Sequence, residues 1–304
     1  MKKKSAVLRK LLKDPDPIVT PCAFDCVSAR IVEMAGLPAV MHGGFNTSAS
    51  LLGLPDVGII SMMEMITAAR HMAEAVDIPV IADIDDGFGK NLNVMRTISE
   101  AIKSGVAGVY MEDQMLPKRC PSLGGGDVVT TEEMVGKLHA ARRIAADEDP
   151  DFVIIARTHA SRARNFEEGL ERGAIYAQEG ADLVWVDLGY DDGVHDELKA
   201  IVEKIAPHAP VVANMTENVG RPMLTTDELH KMGFKLITYP LTLILTAAQA
   251  MADTMECLVK KGTTKSMSKQ MMPVKKFQPI IKMEKIQELE RHDLADSSRS
   301  DSDQ

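Results

Sequence analysis

The sequence predicts an α/β fold of the (β/α)8 barrel type, and three observations carry that prediction. Eight short apolar, β-rich runs recur between amphipathic stretches up to residue 240. The runs are almost continuously apolar rather than alternating, which suits strands of a parallel sheet buried on both faces. The doubly wound open sheet is the competitor, but it usually carries fewer strands, and no G-x-G-x-x-G follows the first run.

In order, the expected strands are PIVTPCA (17–23), AVMHGG (39–44), PVIADID (79–85), AGVYMED (107–113), FVIIART (152–158), DLVWVDL (182–188), PVVANM (210–215) and LITYP (236–240). Helical patterns lie between them, including DCVSARIVEMAG, MMEMITAARHMAEAV, NVMRTISEAIKSG, TTEEMVGKLHAARRIAAD and NFEEGLERGAIYAQEG. Several end at glycine, the usual helix stop. Thr130 or Thr131 is placed to cap the helix that opens TTEEM, with acids in its first turn. Residues 1–262 are therefore read as the barrel. Residues 263–292 are read as a helical extension, because FQPIIKMEKIQELERH forms one more helical pattern, and 293–304 as a disordered tail. The chain's 20 methionines suit cores and subunit contacts better than a cofactor box.

Composition excludes several classes. A chain of 304 residues, 45% hydrophobic and 26% charged, reads as an ordinary globular protein, and its net charge of -9 with no basic stripe argues against nucleic acid. The basic start, MKKKSAVLRKLLKD, lacks the apolar core of about 7–15 residues that a secretory signal needs. No run nears the roughly 18 apolar residues of a membrane span. The four cysteines, Cys22, Cys26, Cys120 and Cys257, fit neither a zinc pattern nor a disulfide scaffold, so a reduced cytoplasmic setting is expected.

In a barrel the chemistry sits where strands end. Those ends carry His42-Gly43-Gly44, Asp83 and Asp85, Glu112, Arg157-Thr158-His159, Asp187, Asn214 and Tyr239. Polar groups delivered by almost every strand to one rim imply a shared polar pocket. Asp83 and Asp85 stand two apart and face the same side, whereas Asp86 points elsewhere. With Glu112 they form an oxygen set for a hard cation such as Mg2+, with Mn2+ as an alternative. Acids at strand ends also cap helices or meet an arginine in an ion pair, so both readings stand for these residues taken singly. His42 and His159 are candidate ligands or bases, or histidines satisfied by ordinary hydrogen bonds.

Taken together the motifs SASLLGLPDVG (48–58), IADIDDGFG (81–89), GVYMEDQMLPKRC (108–120), IIARTHA (154–160), VVANMTE (211–217) and TTDELHKMGFKLITYPL (225–241) resemble the isocitrate lyase / phosphoenolpyruvate mutase superfamily. The closest likeness is to methylisocitrate lyase and 2,3-dimethylmalate lyase types. The resemblance implies a barrel whose last helices swap between subunits, in a homotetramer built as a dimer of dimers. It implies Mg2+ near Asp83, Asp85 and Glu112, with Asp56 beside the metal and the substrate oxygens. Arg157 and Asn214 correspond to residues holding a substrate carboxylate and its 2-oxygen, and the Gly43–Gly44 backbone to the cradle for that end. Phe45, Asp187 and Thr216 complete the implied substrate pocket.

Lyase members carry a Lys-Arg-Cys flap, here Lys118-Arg119-Cys120, in which the thiol is suited to protonate a carbanion as general acid. Lys118 and Arg119 favour thiolate, so the proton has to be kept by a closed, desolvated site. Four departures mark the substrate side. Pro121-Ser122 replaces Gly-His, Asp187 replaces a glutamate, His159 replaces an aspartate, and His42-Gly43-Gly44-Phe45-Asn46 adds bulk to the strand 2 loop. The resemblance thus implies carbon–carbon cleavage of a 2-hydroxy di- or tricarboxylate into a 2-oxo acid and a carboxylate. The alternatives are oxaloacetate decarboxylation or hydrolysis, phosphonopyruvate-type P–C chemistry, and a catalytically silent barrel, against which the retained buried charges argue.

Overall fold

A computed structural model describes residues 3–120, 123–188, 194–217 and 223–300, with the side chains of 292–300 left aside. The eight expected strands are all present: β1 Ile18–Ala23, β2 Val40–His42, β3 Val80–Asp83, β4 Gly108–Glu112, β5 Val153–Thr158, β6 Leu183–Val186, β7 Val212–Asn214 and β8 Leu236–Tyr239. Every pairing is parallel, in the order β6-β5-β4-β3-β2-β1-β8-β7. A single parallel bridge between Val184 and Val211 brings β6 against β7 and closes the ring. The fold is a (β/α)8 barrel.

Strand parity decides what each side of the barrel wall carries. In β5, Val153 and Ile155 face inward with Leu183 and Trp185 of β6, whereas Ile154 and Ala156 pack outward against the helices. The same alternation turns Ile81 and Tyr110 inward and Ala82, Val109 and Met111 outward. Two more steps along each strand put Asp83, Glu112, Arg157, Asp187 and Asn214 at the upper end of the interior. Below them the interior is apolar, and Leu8 of the first helix (α1, Lys4–Lys13) belongs to that inner cluster and stops its lower end. Where β4 meets β5, Gly108 is required by close approach, since a Cβ there would lie 2.5 Å from the Val153 carbonyl oxygen.

The helices begin where the caps predict. Ser61 and Glu64 form a capping box for Met62–Ala75, and Asn165 caps Phe166–Gln178. Of the two candidate threonines it is Thr130 that caps Thr131–Glu148, its hydroxyl accepting from the Glu133 N–H at 3.2 Å. Two short elements had no periodic signal: the helix Gly44–Thr47 continuing into a π-turn at Ser48–Leu52, and the single turn Ala160–Ala163.

The chain divides into two compact units, Met1–Leu245 and Thr246–Gln304. Within the second, a helix runs over Met283–Ser300, and residues 301–304 of the expected tail lie outside the described residues. No described helix is long and apolar enough to cross a membrane.

Candidate active site

The upper mouth of the barrel opens into a cleft of about 630 Å3. Its wall includes Gly43, Gly44, Phe45, Asp56, Asp83, Glu112, Lys118, Cys120, Arg157, Asp187, Asn214 and Thr216, so twelve of the thirteen site residues expected from sequence share one cavity. The thirteenth, Asp85, is buried at the turn after β3, with its backbone in the left-handed region (φ 47) and Lys118 Nζ 2.5 Å from its carboxylate.

One side of the cleft is acidic and set by the backbone. Asp83 accepts from the Gly44 N–H at 2.8 Å and from the Asp85 N–H at 2.9 Å, while the Glu112 N–H bonds the Asp85 carbonyl at 2.8 Å. A Cβ on Gly44 would lie 2.8 Å from Asp83 Oδ2, so only glycine lets this loop approach. The Gly44 N–H is therefore already committed to Asp83. Into this group comes Lys118, 3% exposed, with Nζ 2.7 Å from Asp56 Oδ1 and 2.5 Å from Asp85 Oδ1. The cation among these acids is thus Lys118, whereas Arg157, the arginine expected to converge with them, reaches only Glu112, at 3.5 Å.

The electrostatics call for more positive charge than one ammonium supplies. Burial pushes the Asp85 carboxyl well up, against the pull of Lys118, and pushes Asp56 up in the same way. Burial also works against the Lys118 ammonium, but Asp85, Glu112, Asp83 and Asp56 outweigh it and hold the lysine charged. Glu112 Oε1 is buried with no hydrogen-bond partner among the described residues. No three His, Cys, Asp or Glu side chains among those residues lie close enough to grip an ion directly. Such a donor set fits a divalent cation that keeps its water, as Mg2+ does; of the three expected carboxylates Asp83 and Glu112 line the cleft beside Asp56, whereas Asp85 lies off its wall, paired with Lys118.

The opposite side is built from side chains. Arg157 donates to Asp187 Oδ1 at 3.0 Å and stacks 4.0 Å over the Trp185 ring, which in turn lies 5.5 Å from Tyr110. His159 is buried and bridges the two acids, with Nε2 2.8 Å from Glu112 Oε2 and Nδ1 3.5 Å from Asp187 Oδ2. Asn214 donates to Thr216 Oγ1 at 2.9 Å. Burial would raise the Asp187 carboxyl, but Arg157, His159 and Arg162 outweigh it and hold it far below the usual range. Glu112 is likewise brought down to about 2, burial being overcome first by His159 and Lys118. Arg157 Nε and Asn214 Oδ1 are buried without hydrogen-bond partners among the described residues, which suits a waiting carboxylate and hydroxyl.

The two histidines separate. His42 is not on the cleft wall; it is bonded to Thr47 Oγ1 at 2.7 Å, and burial lowers it to about 4. Asp86 also turns away, to a buried ion pair with Lys137 at 2.9 Å. The flap is anchored at its base, where the Arg119 N–H bonds Gln114 Oε1 at 2.9 Å and the Cys120 N–H bonds the Asp56 carbonyl at 3.0 Å. Pro121 and Ser122 lie outside the described residues. Trp185, Tyr110 and Arg162 line the cleft without having been singled out from sequence. Parity offered a signal for Trp185, two residues before Asp187 on β6, and none for Arg162, which sits on a short turn.

Residues 8–259 match the family model described as phosphoenolpyruvate phosphomutase. The chain belongs to that family. Within it, the chain is 38% identical to 2,3-dimethylmalate lyase of Eubacterium barkeri over 95% of its own length and 97% of the relative's. Among solved structures, oxaloacetate acetylhydrolase in complex with 3,3-difluorooxalacetate superposes with a TM-score of 0.89 at 32% identity, covering 95% of this chain and 97% of the other. Phosphonopyruvate hydrolase with oxalate and Mg2+ superposes with a TM-score of 0.85 at 28% identity, over 95% and 99% of the two chains. The family therefore holds lyases and hydrolases on one barrel, and this chain is lyase-like by sequence.

Proposed function

We propose that the protein is a Mg2+-dependent carbon–carbon lyase that splits a 2-hydroxy di- or tricarboxylate, of the 2-alkylmalate or methylisocitrate kind, into a 2-oxo acid and a carboxylate. The observation that carries this reading is Cys120 on the wall of the same cleft as the acid group and Arg157. A retro-Claisen cleavage releases its leaving fragment as a carbanion, and a thiol on this wall is placed to protonate that carbon.

Arg157 and the Asn214–Thr216 pair hold the carboxylate and 2-oxygen of the substrate. Asp56, whose affinity for a proton is raised by burial, lines the cleft where it can receive the 2-hydroxyl proton. The electron pair of that O–H bond becomes the carbonyl of the 2-oxo acid as the C2–C3 bond breaks, and C3 leaves as a carbanion that takes the Cys120 thiol proton. When bound beside Asp83, Glu112 and Asp56, Mg2+ supplies Lewis-acid stabilisation of negative charge on the 2-oxygen. Lys118 keeps the acid group assembled and the flap root drawn down on it.

Release of 2-oxo acid from 2,3-dimethylmalate, methylisocitrate, citramalate, oxaloacetate and phosphonopyruvate, followed by NMR with Mg2+, tests the reading. Cleavage of a hydroxy acid should fall by about 10²–10⁴-fold in Cys120→Ser, the range of general acid catalysis. The likeness to oxaloacetate acetylhydrolase favours a second reading, hydrolysis of oxaloacetate. Turnover of oxaloacetate to oxalate and acetate, with none of the hydroxy acids cleaved, would establish that reading instead.

A homotetramer with exchanged C-terminal helices is part of the proposal. Exposed apolar side chains such as Leu245, Met251, Met255 and Val259 support it, and light scattering tests it. A cytoplasmic setting agrees with four cysteines outside any disulfide.

A further inference from the structure

Arg162 lines two cavities at once. It forms part of the wall of the main cleft and also borders a second open cavity, of about 1060 Å3, beneath the flap. The other walls of the second cavity are Gly124–Asp127, His159 and Arg164. Where a flap without Gly-His left nothing obvious for a second anion, two guanidiniums stand.

The two are not equally neutralised. Arg164 pairs with Asp127 at 2.7 Å. Arg162 has only a 3.5 Å contact with Asp187, a carboxylate already bonded to Arg157 at 3.0 Å. Its Nη1 donates to the Leu188 carbonyl at 3.2 Å, and among the described residues Nε and Nη2 have no hydrogen-bond partner. A guanidinium offers a planar fork of donors that matches a carboxylate. At the junction of two cavities, this one reaches Asp187 through Nη1 alone, at 3.5 Å, and no other described acid. The flap wall opposite is glycine: a Cβ on Gly124 or Gly125 would meet nothing within 4 Å, so the space there is open.

We infer that the cavity under the flap is a second anion subsite, that it takes a carboxylate of the substrate distal to the one on Arg157, and that Arg162 is the residue that selects for it. The inference deepens the lyase reading and rests on it for the near end of the ligand, where Arg157 holds a 2-oxo acid. It names the residue that reads the carboxylate on the far side of the bond that breaks, a group every substrate of the lyase reading carries.

Two 2-oxo acids that differ only in the distal carboxylate, 2-oxoglutarate and 2-oxopentanoate, test this without turnover. Isothermal titration of the full chain with Mg2+ should give a preference of about tenfold or more for 2-oxoglutarate, the worth of a charge-assisted pair. Arg162→Gln should abolish most of that preference while changing 2-oxopentanoate affinity by less than about twofold, and Arg162→Lys should retain part of it. Arg164→Gln, which leaves Asp187 untouched, should weaken 2-oxoglutarate by a smaller factor. Equal affinity for the two acids in the wild type, or no binding of either, overturns the subsite with no variant needed. An equal loss for both acids in Arg162→Gln would reassign Arg162 to holding Asp187. Hydroxy-acid cleavage without any preference would sink the subsite alone, and preference without cleavage would sink the lyase reading alone.

Discussion

The acid side and the cation side of the cleft hold their charges by different means. Asp83 is fixed by two backbone N–H groups and Glu112 follows Asp85 through the strand ladder, so the acid side is positioned by the barrel itself. Arg157, His159 and Asp187 are positioned by one another, through contacts of 2.8 to 3.5 Å between side chains. A side fixed by backbone tolerates change elsewhere. A side fixed by mutual contact shifts as a whole when one member changes, which is why two departures from the superfamily pattern, His159 and Asp187, occur as touching partners.

The comparison can be broken most forcefully at Arg157. Arg157→Gln removes the donor fork for the substrate and leaves Asp187 and Glu112 short of a cation. We expect kcat/KM to fall by about 10²–10³-fold with a lower melting temperature, read by steady-state kinetics and calorimetry. Unchanged kinetics would mean that the cation side does not touch the substrate.

Next in size is Lys118→Met, which takes the ammonium from buried Asp56 and Asp85. Without metal the variant should lose about 3 kcal/mol or more of stability in urea unfolding. Mg2+ should restore a larger share to the variant than to the wild type, because it meets the same charge deficit. A variant as stable as wild type in EDTA would refute the assembly role of Lys118.

The smallest effect sharpens the picture of the acid side, since two of its carboxylates answer pH with opposite sign. Glu112 is lowered from 4.5 to about 2, so its contribution is complete above 4.5 and is lost as pH falls towards 2. Asp85 is raised well above 3.8, so the folded chain holds its proton where the unfolded chain does not, and its contribution is lost as pH rises through that window. The wild type's advantage over Glu112→Gln should therefore shrink from pH 6 to pH 3, while its stability relative to Asp85→Asn should rise over the same interval. A Glu112→Gln gap that does not move with pH would show that its folded carboxyl is not lowered.

Much of the fold was legible because parallel strands are written as apolar runs, and a run needs no partner to be recognised. Parity then carried Asp83, Glu112, Arg157 and Asp187 to one rim. Contacts between loops carry no period, so the reach of Lys118 to Asp56 and Asp85, 62 and 33 positions upstream, had no sequence signature. The helical turn that presents Arg162 spans four residues, too short for any periodic pattern. His159 looked like an isolated histidine because both of its carboxylate partners lie on other strand ends.

Leu8 gives the barrel one mouth. With the lower end stopped by α1, whatever rests against Trp185 and Arg157 can leave only past whatever rests against the flap. For the proposed cleavage, that geometry would impose a queue: the fragment under the flap would depart first and the 2-oxo acid second. Product inhibition should then be unequal, with the 2-oxo acid competing directly with substrate and the carboxylate fragment not.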